Sequence, residues 1–181
     1  MSPKVLLSAA ELERLPDDDS VQIELDEGEV IKMAPAGEEH SFIELELASL
    51  LHRFVKERDL GRVYPGDIGF RLNDGTVRSP DVSFVRKSRV AEIQSKGFAR
   101  GGPDLAVEIV SPNDSFRQLT RKVRQYFQAG CHTVWVIHPD RKEVEVFEAT
   151  GADRTLTATE RLEIPDLLPG FSVLVSDLFP A

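Results

Sequence analysis

Cysteine is nearly absent: one residue, Cys131, stands in 181, so no intramolecular disulfide can staple the fold. It lies between Gly130 and His132 at the start of an apolar run, where a structural role is the expectation. Long hydrophobic runs are missing too, and no stretch approaches the roughly 20 apolar residues that a membrane-spanning helix needs. The first residues, Met1 to Leu7, hold one charge but neither a sustained apolar region nor a small-residue cleavage site, so no secretory signal is read and the cytoplasm is the default expectation. Positive charge is scarce, since 22 Lys and Arg against 31 Asp and Glu leave a net charge of -9. That balance argues against non-specific binding of a phosphate backbone by the surface as a whole. Two local clusters nevertheless allow a basic face: Arg86, Lys87, Arg89, Lys96 and Arg100, and then Arg117, Arg121, Lys122 and Arg124. His132 and His138 flank a strand without the spacing of zinc ligands. No aromatic platform for sugars accompanies the acidic residues, which ranks a two-carboxylate glycosidase low.

What is present is ordinary globular material, with 41% hydrophobic and 29% charged residues and no internal repeat or linker. One domain is expected over residues 1–181, with an N-terminal helix in 1–19, a core in 20–148 and C-terminal strands in 149–181. Ser8 and Glu11 have the spacing of a capping box, and Pro16 with Asp17, Asp18 and Asp19 ends that helix. Val21, Ile23 and Leu25 alternate with polar residues, and a turn at Asp26-Glu27-Gly28 leads to a returning strand at Val30-Ile31-Lys32-Met33. From Glu38 to about Glu57 the apolar residues Phe42, Leu45, Leu47, Leu50, Leu51, Phe54 and Val55 recur at helical spacing, until Gly61 stops them. Strands follow at 62–64, 67–72, 81–85 and 104–110, with Asn73-Asp74-Gly75 as a hairpin turn. After Ser111-Pro112-Asn113-Asp114 a second helix runs to about Ala129 on a stripe of Phe116, Leu119, Val123, Tyr126 and Phe127. Strands at 133–138 and 143–148, then weaker ones near 155–164 and 171–175, complete an α/β (α+β) pattern: a mixed central sheet flanked by two main helices. Trp135 and Phe127 read as core.

Within the apolar run Leu105-Ala106-Val107-Glu108-Ile109-Val110 the carboxylate of Glu108 stands out. A buried, ionised carboxylate is costly unless it is paired, hydrogen-bonded or bound to a metal. Lys122, on the helix that follows, is the nearest cation with a structural reason to face it, and Gln118, Lys122 and Tyr126 share one helical ridge. Asp81 follows Pro80 at the opening of another strand. Two carboxylates converging at strand ends can hold a hard divalent cation, which polarises a phosphoryl group and helps generate hydroxide. A neighbouring lysine could orient the attacking water or stabilise charge developing on phosphorus. The chemistry that this pattern suggests is phosphodiester hydrolysis.

Ser79-Pro80-Asp81-Val82-Ser83-Phe84-Val85, Val107-Glu108-Ile109-Val110-Ser111-Pro112, and then Lys122 and Tyr126, resemble the Uma-two family of restriction endonucleases within the PD-(D/E)XK superfamily. Agreement covers nearly the whole chain, from Ile23-Glu24-Leu25-Asp26-Glu27-Gly28-Glu29, Ala34-Pro35 and His40, through Trp135-Val136-Ile137-His138-Pro139, to Leu168-Pro169-Gly170-Phe171. The resemblance implies a restriction-endonuclease-like fold and a homodimer cleaving DNA. Asp81 and Glu108 would ligate Mg2+, with Mn2+ equally suited to carboxylates, and Lys122 would be the catalytic lysine. Val110 stands where the superfamily pattern expects lysine, so the lysine is supplied from the following helix. Glu24 is either a fourth acidic ligand or the outward residue of an alternating strand. His40 is a capping or core histidine first and an acid, base or ligand second. Tyr126 is expected in the helix wall with its hydroxyl at the site edge. The alternative is a nuclease fold that no longer cleaves and binds nucleic acid or protein instead.

Overall fold

A computed structural model of the chain describes residues 6–15 and 22–180. The expected helix stop at Pro16 to Asp19, the strand residue Val21 and the first residues, Met1 to Val5, lie outside the described residues. Helix α1 (Ala9–Leu12) opens on the expected capping box, with Ser8 Oγ accepting from Glu11 N and the Glu11 carboxylate accepting from Ser8 N at 2.8 Å. Strands β1 (Ile23–Asp26) and β2 (Glu29–Lys32) form the expected hairpin, turning through Glu27 and Gly28, both at positive φ. Helix α2 (Glu38–Glu57) follows.

Next come β3 (Gly61–Pro65), β4 (Phe70–Asn73), β5 (Thr76–Arg78), β6 (Val82–Arg86), a one-turn helix α3 (Val90–Ile93) and β7 (Ala99–Arg100). After β8 (Leu105–Ile109), helix α4 (Phe116–Gln128) crosses to β9 (Thr133–His138). The chain ends on β10 (Glu143–Glu148), β11 (Arg154–Leu156), β12 (Arg161–Glu163) and β13 (Ser172–Leu174).

The central sheet has six strands in the order β11-β10-β9-β8-β6-β3. All its neighbours are antiparallel except β8 and β9, which are parallel because a helix joins them. A second, five-stranded sheet, β2-β1-β5-β4-β7, and a β12–β13 hairpin accompany it. The sequence pattern marks most of the strands, but not β5 or β7, and groups them in one sheet. Alternation marks a strand without naming its partner, and the pairing of β1 with β5 through Leu25 and Val77 builds the second sheet.

One face of the central sheet carries Val82, Phe84, Leu105, Val107, Ile109 and Trp135, and packs against Ile43, Leu47, Leu51 and Val55 of α2 and against the C-terminal hairpin. Those four α2 residues are spaced by four, a single line down the helix. Phe42 and Leu45, expected in the stripe, are exposed instead, since α2 has more apolar residues than its buried line can hold. The opposite face presents Ala106, Val134 and Val136 to Val123 and Tyr126 of α4, and Val85 to Phe70 of the second sheet. Phe116, also expected in the apolar stripe, is 83% exposed at the first position of α4. The helix starts from Ser115, whose side chain forms a second capping box with Gln118. Buried Cys131 directs its Sγ at the Thr133 carbonyl, and burial pushes its thiol up to about 12, in keeping with a structural role.

Candidate active site

Alternation along β8 turns Leu105, Val107 and Ile109 toward α2, and therefore turns Glu108 toward α4. There its two oxygens are taken separately: Oε2 accepts from Lys122 Nζ at 2.7 Å and Oε1 from the Tyr126 hydroxyl at 2.6 Å. Lys122 and Tyr126 lie one helical turn apart, so α4 delivers both to the same carboxylate. The partner demanded by a buried Glu108 is thus the expected lysine.

Lys122 Nζ also stands 3.4 Å from Glu24 Oε1. Glu24 is buried on β1 rather than turned outward, and accepts from Arg78 Nη1 at 2.8 Å and from Ser79 N at 3.0 Å. Arg78, itself buried on β5, reaches Asp26 Oδ1 and Gln125 Oε1, each at 2.8 Å. Glu24 is therefore an anchor, through Arg78 and Gln125, between the second sheet and α4. Burial opposes its ionised form, but Lys122 and Arg78 outweigh that and hold its carboxyl below the usual range. In Glu108 burial wins over Lys122, and the nearby Asp81 and Glu24 charges add to it, which pushes its carboxyl up to about 7. Lys122 is held protonated by Glu108 and Glu24 against the opposing effect of burial.

Asp81 immediately precedes β6, and the register that sets Val82 opposite Val107 brings it beside Glu108. Its Oδ2 accepts from Ile109 N at 2.5 Å, while Oδ1 lies 3.0 Å from His40 Nε2. The other ring nitrogen of His40 is 3.4 Å from Ser111 Oγ. One turn along α2, Glu44 Oε1 accepts from Gly66 N at 3.2 Å. A side chain on Gly66 would come within 3.2 Å of that same oxygen, so glycine is what lets the backbone approach. His40, Glu44 and Asp81 each offer one ligand atom, all within 4.8 Å of one another. The Asp81 hydrogen bond raises the pKa of His40, and burial, reinforced by Asp81, raises that of Glu44.

The fold thus joins Asp81, Glu108 and Lys122, adds His40 and Tyr126, and sets Glu24 behind Lys122. Glu44 and Arg78 were missed. The spacing of His40 and Glu44, four apart on a strongly helical segment, could have revealed the first, whereas nothing local marks Arg78 as buried. His132 and His138 stay apart, with His138 against Glu145 at 3.0 Å.

The family model for Uma2, described as "Putative restriction endonuclease", matches residues 9–176. This chain belongs to the Uma2 family. No curated protein matches its sequence. Among solved structures, a crystal structure described as a "putative nuclease belonging to DUF820", from Anabaena variabilis ATCC 29413, superposes with a TM-score of 0.83. It is 23% identical and covers 96% of this chain and 97% of its own. The Uma2 chain accordingly has the nuclease-like fold that its sequence motifs implied. Among the described residues of this Uma2 protein no helix is long and apolar enough to cross a membrane.

Proposed function

We propose that this protein is a divalent-metal-dependent endonuclease that hydrolyses DNA phosphodiester bonds. The observation that carries the proposal is the position of Asp81, which joins the Glu108–Lys122 pair to the His40–Glu44 pair at one end of the central sheet. Asp81 and Glu108 are the proposed acidic ligands, with Glu44 and His40 completing the donor set. The residues fit such an ion. The ligand atoms of His40, Glu44 and Asp81 lie within 4.8 Å of one another. Glu108 stands outside that trio, and each of its oxygens, holding one hydrogen bond, keeps lone-pair capacity for another contact. Carboxylate oxygens suit Mg2+ and Mn2+ alike. When bound, the ion supplies Lewis-acid polarisation of the phosphoryl group and a more acidic water.

The chain's own groups do the rest. Lys122 presents a fixed ammonium beside Glu108, where it orients a water or stabilises charge growing on the phosphoryl oxygens. Tyr126 holds the second Glu108 oxygen and so fixes the carboxylate's orientation. Arg78 and Glu24 keep Lys122 in place from behind. The protein is taken to act as a homodimer in the cytoplasm. Plasmid nicking with Mn2+ or Mg2+ tests the reading: Asp81→Ala, Glu108→Ala and Lys122→Met should each lower the nicking rate by at least about a hundredfold. Undiminished nicking in all three would falsify it. One observation favours a rival reading, a non-cleaving binding module: Lys122 is tied between two carboxylates. That reading expects neither metal binding nor nicking in the wild type.

A further inference from the structure

Of the two basic clusters in the sequence, the first is engaged by acids at three of its five positions, with Lys96 and Arg100 left exposed. Arg86 and Arg89 turn onto buried Asp104 at 2.6 and 3.1 Å, and Lys87 pairs with Asp59. The second cluster divides across α4. Lys122 points inward to Glu108, while Phe116, Arg117, Thr120, Arg121 and Arg124 line one outward cleft. At 100° per residue, Lys122 falls on the opposite side of the helix from this stripe. Arg121 is partly engaged by Asp26 at 3.2 Å. Arg117 and Arg124 are exposed and have no acidic partner among the described residues. Phe116 adds an exposed aromatic ring, 83% accessible, at the end of the stripe.

We propose that this outer face of α4 binds single-stranded nucleic acid, with Arg117 and Arg124 on phosphates and an unpaired base stacked on Phe116. The inference deepens the endonuclease reading and rests on it for the class of partner. Three features on the molecule select that partner. Guanidinium groups at positions 117, 121 and 124 climb the helix in steps of about 6 and 4.5 Å, a basic track on an otherwise acidic chain. An exposed ring beside such a track is the arrangement by which proteins hold unpaired strands, since stacking needs a base whose face is free. The track also starts where the site ends: Phe116 follows the 111–114 loop, whose Ser111 contacts His40 at 3.4 Å. A strand leaving the site can therefore continue onto α4.

The test is fluorescence anisotropy with a short fluorescein-labelled single-stranded DNA of mixed sequence and its duplex, in EDTA so that no cleavage occurs, over a range of salt. The wild type should bind the single strand more tightly than the duplex. Arg117→Ala/Arg124→Ala should lower the slope of log affinity against log salt by about 1.4, or ~0.7 for each lost phosphate contact. Phe116→Ala should weaken binding about tenfold with the slope unchanged, and Phe116→Tyr, which keeps a ring, should restore it. Unchanged melting temperatures establish that the exposed substitutions leave the fold intact. The inference is overturned if these variants bind the single strand as the wild type does, if the wild type prefers the duplex, or if the face takes polyglutamate and no DNA. A wild type that nicks plasmid while the face variants bind normally defeats this inference alone. Binding that depends on Phe116 in a protein that never nicks upholds it and defeats the endonuclease.

Discussion

Glu108, Tyr126 and Lys122 form a buried arrangement in which every charged or polar atom has a named partner, so the cost of removing one is the cost of stranding another. Tyr126→Phe should destabilise the fold by about 1–3 kcal/mol, read from urea unfolding, because one oxygen of a buried carboxylate loses its donor. Glu24→Ala leaves Arg78 buried with a shortened set of partners and should cost about 3–5 kcal/mol, more than Glu24→Gln. The Glu24 carboxyl titrates below its ordinary value in the folded state. Its contribution is therefore present above the unfolded carboxylate pKa and lost as pH falls through the lower folded value. Thermal unfolding across that acidic range should show a shallower loss of stability in Glu24→Gln than in the wild type. A parallel decline in both proteins would remove Glu24 from the acid sensitivity. At this scale Glu108 and Lys122 were legible because a lone carboxylate in an apolar strand needs a cation. Glu24 was not, since alternation on β1 fits an inward or an outward residue equally, and only the long-range contact with Arg78 decides.

Helices α2 and α4 deliver the site from opposite faces of the central sheet, one bringing His40 and Glu44 and the other Lys122 and Tyr126. The loop after β3 matters to the first pair. Gly66→Ala should press on the Glu44 carboxylate and weaken Mn2+ binding several-fold, with little change in melting temperature, measured by calorimetric titration and thermal unfolding. Equal metal affinity in wild type and variant would separate Glu44 from the ion site. Losing the second capping box through Ser115→Ala should cost about 1 kcal/mol in urea unfolding. Element positions were readable in advance from period and turn chemistry: both capping boxes fall where Ser and Glu or Gln stand three apart, although only the one at Ser8 was read from the sequence. Burial within the elements was less readable. Phe42, Leu45 and Phe116 satisfy a helical period yet face outward, because a period says which residues share a face and not where a neighbour ends.

Across the whole molecule, two sheets and two principal helices converge on a single end of the central sheet, where Asp81 stands just before β6 and Glu108 near the end of the neighbouring β8. Most strands were visible in sequence, β5 and β7 excepted, but their division between sheets depends on pairings such as Leu25 with Val77, across about fifty residues, that no local pattern encodes. A net charge of -9 confines any nucleic-acid contact to local basic ground. The most direct measurement is therefore a calorimetric titration of Mn2+ and Mg2+ into the wild type and Glu108→Ala, with plasmid nicking followed on the same samples. Metal binding and metal-dependent nicking in the wild type, both lost in Glu108→Ala, are the predicted result; a folded wild type that neither binds the ions nor nicks DNA would contradict the account.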